Sequence, residues 1–136
     1  ALRKQAGEVE AAYGVEIDVV TVGDMWPGPR QIAALGAATE AMTNAARHGA
    51  PPIAVFQEAR GGDLEIFIKD AGDGFDPEKI PEDRHGLRNS IRGRVRRVGG
   101  EVDVRFLPAV EGRPVSGTEI RIRLPKDSVG TTERQP

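Results

Sequence analysis

Glu40, Asn44 and His48 are spaced i, i+4, i+8, with Arg47 beside them. On a helix that spacing lines one face. The face would carry a carboxylate, an amide, a guanidinium and an imidazole. An amide oxygen is a hard ligand suited to Mg²⁺, which keeps several waters and leans on phosphate oxygens for the rest. The planar donor fork of arginine suits phosphate. The same residues also fit an ordinary solvated helix surface.

A second cluster is Asp70-Ala71-Gly72-Asp73-Gly74, a D-x-G-x-G run directly after an alternating segment. Its glycines permit positive φ and let backbone approach a ligand closely. An aspartate at a strand end can accept a hydrogen bond from an exocyclic amine. Adenine offers such a donor and guanine an acceptor, so the wrong base would leave the carboxylate unpaired. A plain Gly-Asp turn reads equally well. A calcium loop fits worse, because Asp70, Asp73 and Asp76 are three apart where an EF-hand needs spacing of two. Further on, His85-Gly86-Leu87 stands at the expected entrance of a helix, where free N–H groups could meet an anion. Gly117-Thr118 opens the final apolar-alternating run and brings a hydroxyl there.

These groups need elements to hold them. Leu2 to about Tyr13 is polar and helix-compatible. Val15 to Val22 is β-branched and reads as a strand. From about Arg30 to His48 the chain is alanine-rich, and Ile32, Leu35, Thr39 and Met42 suggest one apolar stripe. Gly49 and Pro51-Pro52 would end that helix. Ile53 to Arg60 and Asp63 to Asp70 read as two strands joined by Gly61-Gly62, a hairpin signal. In the second, Leu64, Ile66 and Ile68 alternate with Glu65, Phe67 and Lys69. Ala71 to His85 is a long Gly/Asp/Pro-rich loop of the kind that carries function. Gly86 to Val98 returns to helix, with Leu87, Ile91, Val95 and Val98 in a stripe and Gly99-Gly100 as the stop. Glu101 to Phe106 and Thr118 to Leu124 close the order as strands. The expected fold is an α/β two-layer sandwich, a mixed and mainly antiparallel five-stranded sheet with helices on one face.

Composition narrows the function. The 136 residues suit one domain. There are no cysteines, which removes disulfides and thiolate metal sites and fits a reducing cytoplasm. The net charge of −2 argues against bulk capture of nucleic acid or membrane. Aromatic residues make up 4%, too few for a base-stacking platform. No apolar run approaches the ~18 residues of a membrane span.

Taken in order, the four clusters resemble the GHKL ATPase superfamily with its Bergerat nucleotide fold. The resemblance spans roughly Glu16 to Pro125. Glu40 to Gly49, with its Asn-Ala-Ala-Arg-His-Gly, is similar to the N box in its histidine-kinase form. Asp70 to Gly74 resembles the G1 box, His85-Gly86-Leu87 the G2 box and Gly117-Thr118 the G3 position. The short lid and the run from Gly86 to Gly100 resemble sensor kinases whose partners are LuxR/NarL-type regulators. The resemblance implies the ATP- and Mg²⁺-binding catalytic domain of a two-component sensor histidine kinase. It implies that Asn44 holds Mg²⁺ and Asp70 binds the adenine amine. Gly72 and Gly74 would shape the base pocket, and Arg47 and His48 would face phosphates or ribose. Gly86 and Leu87 would close over the phosphates, and Thr118 would support Asp70 through water. Glu40 sits where some ATPases of the superfamily keep a general base, and a positioning role is expected for it here. The single Gly86 departs from relatives with two or more glycines in that box.

The implied partners are ATP, a histidine-bearing dimerisation domain of the same kinase and a downstream response regulator. Residues 1–14 are expected to be the end of an upstream helix or a linker, 15–125 the catalytic domain and 126–136 a flexible tail. A monomeric, cytoplasmic domain is expected, within a parent that could be membrane-anchored. Two rival readings stay open. An anti-sigma-factor-type serine kinase shares the boxes. A nucleic-acid-binding module could use Arg84, Arg88, Arg92, Arg94, Arg96 and Arg97, which crowd around the second long helix. His48 and His85 are the two histidines, and both fall in nucleotide boxes. Incubation of the 136-residue chain with Mg-ATP is therefore expected to leave no stable phosphohistidine, and acid-labile, base-stable label on the chain would refute this.

Overall fold

The computed structural model describes residues 2–25, 28–48, 52–71, 82–107 and 117–126, with side chains left aside at 48, 82–88, 106 and 107. The described elements are α1 (Leu2–Tyr13), β1 (Ile17–Val22), α2 (Pro29–His48), β2 (Ile53–Arg60), β3 (Asp63–Asp70), α3 (Glu82–Arg96), β4 (Glu101–Leu107) and β5 (Gly117–Leu124). The strands form one sheet in the order β1-β2-β3-β5-β4. β1 and β2 pair parallel and the other neighbours antiparallel. The mixed two-layer sandwich expected from the pattern is the fold observed.

Alternation decides which face is covered. Ile53 and Val55 of β2, Leu64, Ile66 and Ile68 of β3, and Ile120, Ile122 and Leu124 of β5 are all buried. The register sets Ile66 beside Ile122 and Ile68 between Val55 and Ile120, so these side chains share one face. All three helices pack over that face, α1 at β1, α2 in the middle and α3 at β4. The other face is open. Across it Val20, Phe56, Phe67, Arg121 and Asp103 stand in one row. The Phe56 and Phe67 rings lie 6.3 Å apart. Arg121 caps Phe67 at 5.8 Å and donates from Nε to Glu65 at 2.8 Å. The Glu65 hydrogen bond and charge push the Arg121 pKa further up from its ordinary value.

Helix α2 corrects the expected stripe. Its buried face is Ala34, Leu35, Ala37, Ala38, Ala41, Met42 and Ala45. Ile32, expected on it, is 59% exposed. At about 100° per residue Ile32 lies roughly 120° from Ala38, beyond the edge of the contact. Alanines, not the larger residues, mark the face that meets the sheet. Thr39 also leaves the apolar face, and its hydroxyl donates to the Leu35 carbonyl at 2.8 Å.

The turns follow their residues. Gly61 and Gly62 have φ of 59° and 95°, the double positive φ of a two-residue hairpin turn, and Arg60 opposite Asp63 closes it. Helix α3 ends with the Gly99 N–H on the Arg96 carbonyl and the Gly100 N–H on the Val95 carbonyl, a Schellman pair. Leu2, Ala6 and Val9 of α1 are buried in the same cluster as the rest of the core. The Glu10 carboxylate accepts from the Ile17 N–H at 2.8 Å. Helix α1 therefore packs into the same core as the elements that follow it. No described helix is long and apolar enough to cross a membrane.

Arg30, in the first turn of α2, ties three distant pieces together. Its Nε donates to the Val98 carbonyl at 2.8 Å and its Nη2 to the Pro125 carbonyl at 2.9 Å. Arg30→Ala is expected to cost about 1.5–3 kcal/mol, the value of hydrogen bonds from a charged group. Urea unfolding would show a lower midpoint with an unchanged slope. Arg30→Lys should recover only part of the loss, because an ammonium cannot fork to both carbonyls.

Candidate functional site at one edge of the sheet

Chain direction gathers the candidate residues. Helix α2 links the parallel strands β1 and β2, so it runs opposite to both. β3 runs antiparallel to β2, and hence with α2. The C-terminal ends of α2 and β3 therefore reach the same sheet edge. β5 starts there, because it runs antiparallel to β3. Asn44, Arg47 and His48, then Asp70, then Gly117 and Thr118 all fall at this edge. α3 leaves the same edge, since β4 begins at the far one.

Asp70 lies directly opposite Thr118 in the β3–β5 register. Their closeness depends on Gly117. A Cβ built there would stand 2.2 Å from the Asp70 carbonyl oxygen. Asp70 is itself partly buried and has an interaction partner in the structure.

Beside this edge the outer face of α2 borders a cavity of about 440 Å³, within the usual range for small-ligand pockets. Gln5, Gly36, Thr39, Glu40, Thr43, Asn44, Arg47 and Arg94 line it, drawn from all three helices. The Asn44 Oδ1 is buried with no hydrogen-bond partner among the described residues. The Gln5 Oε1 is in the same state. A buried oxygen acceptor without a partner is costly unless a ligand or ion completes it. Among the described residues no three His, Asp or Glu side chains gather as a preformed metal site. The Asn44 amide oxygen is itself a hard donor, of the kind that suits a cation taking most of its ligands from water and phosphate.

Glu40 and Asn44 share the cavity with Arg47, as their spacing indicated. Glu40 is not free there: its Oε1 meets Arg94 Nη2 at 2.5 Å. Gly72 and Gly74 lie outside the described residues, as do the side chains of His48 and Leu87. Gly86 departs from expectation. α3 begins at Glu82, so Gly86 lies inside the helix and not before it. An amide at that depth is satisfied by the helix itself, and the free N–H groups belong to the turn ahead of it. The reason is that Glu82, Asp83 and Arg84 are themselves helix-compatible, and a single glycine does not stop a helix they start.

Among the lining residues, Gln5, Gly36 and Arg94 escaped the sequence reading as members of a site. Gln5 sits in α1, whose neighbours in the fold no local pattern identifies. Arg94 stood among six arginines with nothing to single it out. The described members of that run diverge: Arg94 turns to Glu40, while Arg96 and Arg97 are exposed. They do not make one basic face.

Fold and edge cluster together are those of a two-layer α/β ligand-binding domain. The chain belongs to the histidine kinase-, DNA gyrase B- and HSP90-like ATPase family, whose sequence profile matches residues 31–128. Membership implies ATP binding. A solved structure described as a mycobacterial sensor histidine kinase, MprB, is similar with a TM-score of 0.65. The match covers 91% of this chain and 92% of that one at 24% identity, and it establishes the shared fold. No curated protein matches.

Gly117→Ala tests the edge geometry. The added carbon must push β3 and β5 apart at Asp70, at an expected cost of about 1–3 kcal/mol, as for other overpacked sites. Gly7→Ala is the control: nothing lies within 4 Å of the new carbon, and a helical alanine should raise stability. Equal melting temperatures for the two variants would contradict the close approach.

Proposed function

We propose that this chain is the ATP-binding catalytic domain of a sensor histidine kinase. The observation that carries the reading is the convergence of Asn44, with its unpartnered buried oxygen, and the facing pair Asp70 and Thr118 at one sheet edge. Asp70 accepts from the adenine amine, and Thr118 supports it through water. Gly72 and Gly74 shape the base pocket. Asn44 holds Mg²⁺, which when bound neutralises charge on the phosphates. Arg47 and His48 face phosphates or ribose, and the start of α3, with Leu87 in its second turn, closes over them. The domain's part in the reaction is positioning and charge neutralisation, as phosphoryl transfer generally requires. The γ-phosphate passes to a histidine on a dimerisation domain, and from there to a response regulator. The divergence of Arg94 from Arg96 and Arg97 supports this reading over a nucleic-acid module, which would need a continuous basic face.

The test is calorimetric titration with a non-hydrolysable ATP analogue, with and without Mg²⁺, against the GTP analogue. Binding is expected to prefer adenine and to tighten with Mg²⁺. Asp70→Asn should weaken it roughly 10–100-fold, the worth of one hydrogen bond to a charged group. Asn44→Ala should remove the Mg²⁺ dependence and leave base preference intact. No binding at millimolar nucleotide would overturn the reading. Transfer of label to a partner's serine would replace histidine kinase by serine kinase.

A further inference from the structure

Glu40 is a carboxylate one helical turn before Asn44, on the same cavity. Beside a nucleoside triphosphate, that is the residue type that activates water. The reaction would form a bond from the water oxygen to the terminal phosphorus. The bond to the bridging oxygen would break, and the nucleoside diphosphate would leave with the electron pair. The water's proton would pass to the carboxylate. A domain whose task is to hand its phosphate to another protein gains nothing from that step.

In the structure Glu40 is engaged elsewhere. Its Oε1 forms an ion pair with Arg94 Nη2 at 2.5 Å. The Glu40 side chain is 24% exposed and that of Arg94 39%, so water screens the pair only in part. Arginine keeps its charge at any working pH. The partner is firmly placed. Ile91 and Val95, on either side of Arg94 in sequence, are buried against the core, and the Schellman turn closes the helix just beyond.

Gly36 completes the arrangement. It sits one turn before Glu40, mid-helix, where glycine is unfavourable by about 1 kcal/mol against alanine. A Cβ there would stand 3.0 Å from Arg94 Nη1 and 3.7 Å from its Cδ. The missing side chain is the clearance through which Arg94 reaches the carboxylate.

We propose that Arg94 is a positioning residue that holds Glu40 toward α3 and out of base catalysis, so that bound ATP is kept for transfer and not hydrolysed. The inference rests on the nucleotide-binding reading above. It makes α3 part of the control: the helix that carries Gly86 and Leu87 near its start carries the restraint on Glu40 near its end.

The test measures phosphate release from Mg-ATP by the 136-residue chain, alongside affinity for a fluorescent ATP analogue. Arg94→Met keeps the stem and removes the cation. It is expected to raise hydrolysis per bound nucleotide roughly 10-fold, part of the 10²–10⁴-fold a general base supplies. Glu40→Gln in that background should abolish the gain, and Arg94→Lys should keep hydrolysis low. A purely structural ion pair would produce neither pattern. Gly36→Ala, which favours the helix and displaces only a flexible side-chain end, should shift hydrolysis in the same direction even if Arg94→Met folds poorly. If nucleotide binds normally while both variants leave hydrolysis unchanged or lower, the assignment of Arg94 is overturned. If the unmodified chain binds no nucleotide, the function reading fails and takes this one with it.

Discussion

The contact on which the rest depends is the alanine face of α2 against the sheet. Ala34, Ala37, Ala38, Ala41 and Ala45 are all buried to within a few per cent. Side chains one carbon long let a helix lie close to strands bearing isoleucine and leucine, and interiors this dense leave little slack. The helix cannot roll without driving Ile66, Ile122 or Leu124 into void or clash. Its outer face is therefore fixed, and Glu40, Asn44 and Arg47 are fixed with it. Precision at the polar site is inherited from apolar packing on the other side of the same helix.

That inheritance explains what was readable beforehand. Period-two alternation in β3 and β5 exposed the buried face residue by residue, because a one-residue slip would reverse it. Gly61-Gly62 announced its turn because few other pairs take positive φ twice. The spacing of Glu40, Asn44 and Arg47 gave a shared face because helical geometry is rigid. The stripe on α2 was misread for the opposite reason. Large apolar residues carry more weight in a pattern than alanines, yet close packing here selects the small ones, and Ile32 was left outside.

Long-range pairings were the least legible part. Leu2, Ala6 and Val9 carry the i, i+4, i+7 spacing of a buried stripe, but nothing in α1 told which elements that stripe would meet, or that Gln5 would face α2. Nothing among six arginines told which one would find Glu40. Such partners are chosen by topology, through which helices become neighbours, and no local propensity encodes it. The start of α3 failed differently. The Gly/Asp/Pro-rich run from Ala71 reads as loop as far as His85, whereas Glu82, Asp83 and Arg84 already belong to the helix.

The β3–β5 pairing has a consequence for the length of what lies between. Asp70 and Thr118 are neighbours in the sheet, and α3 and β4 are both spliced into the interval between them. Within that interval residues 71–81 join β3 to α3. Closing a longer interval costs only logarithmically more chain entropy, about 0.6 kcal/mol per doubling for a flexible loop. The strands that meet at Asp70 do not register how many residues were needed to return. The connection from β3 to α3 can thus gain or lose residues at small thermodynamic expense, and the architecture leaves its length open to elaboration while the sheet stays the same.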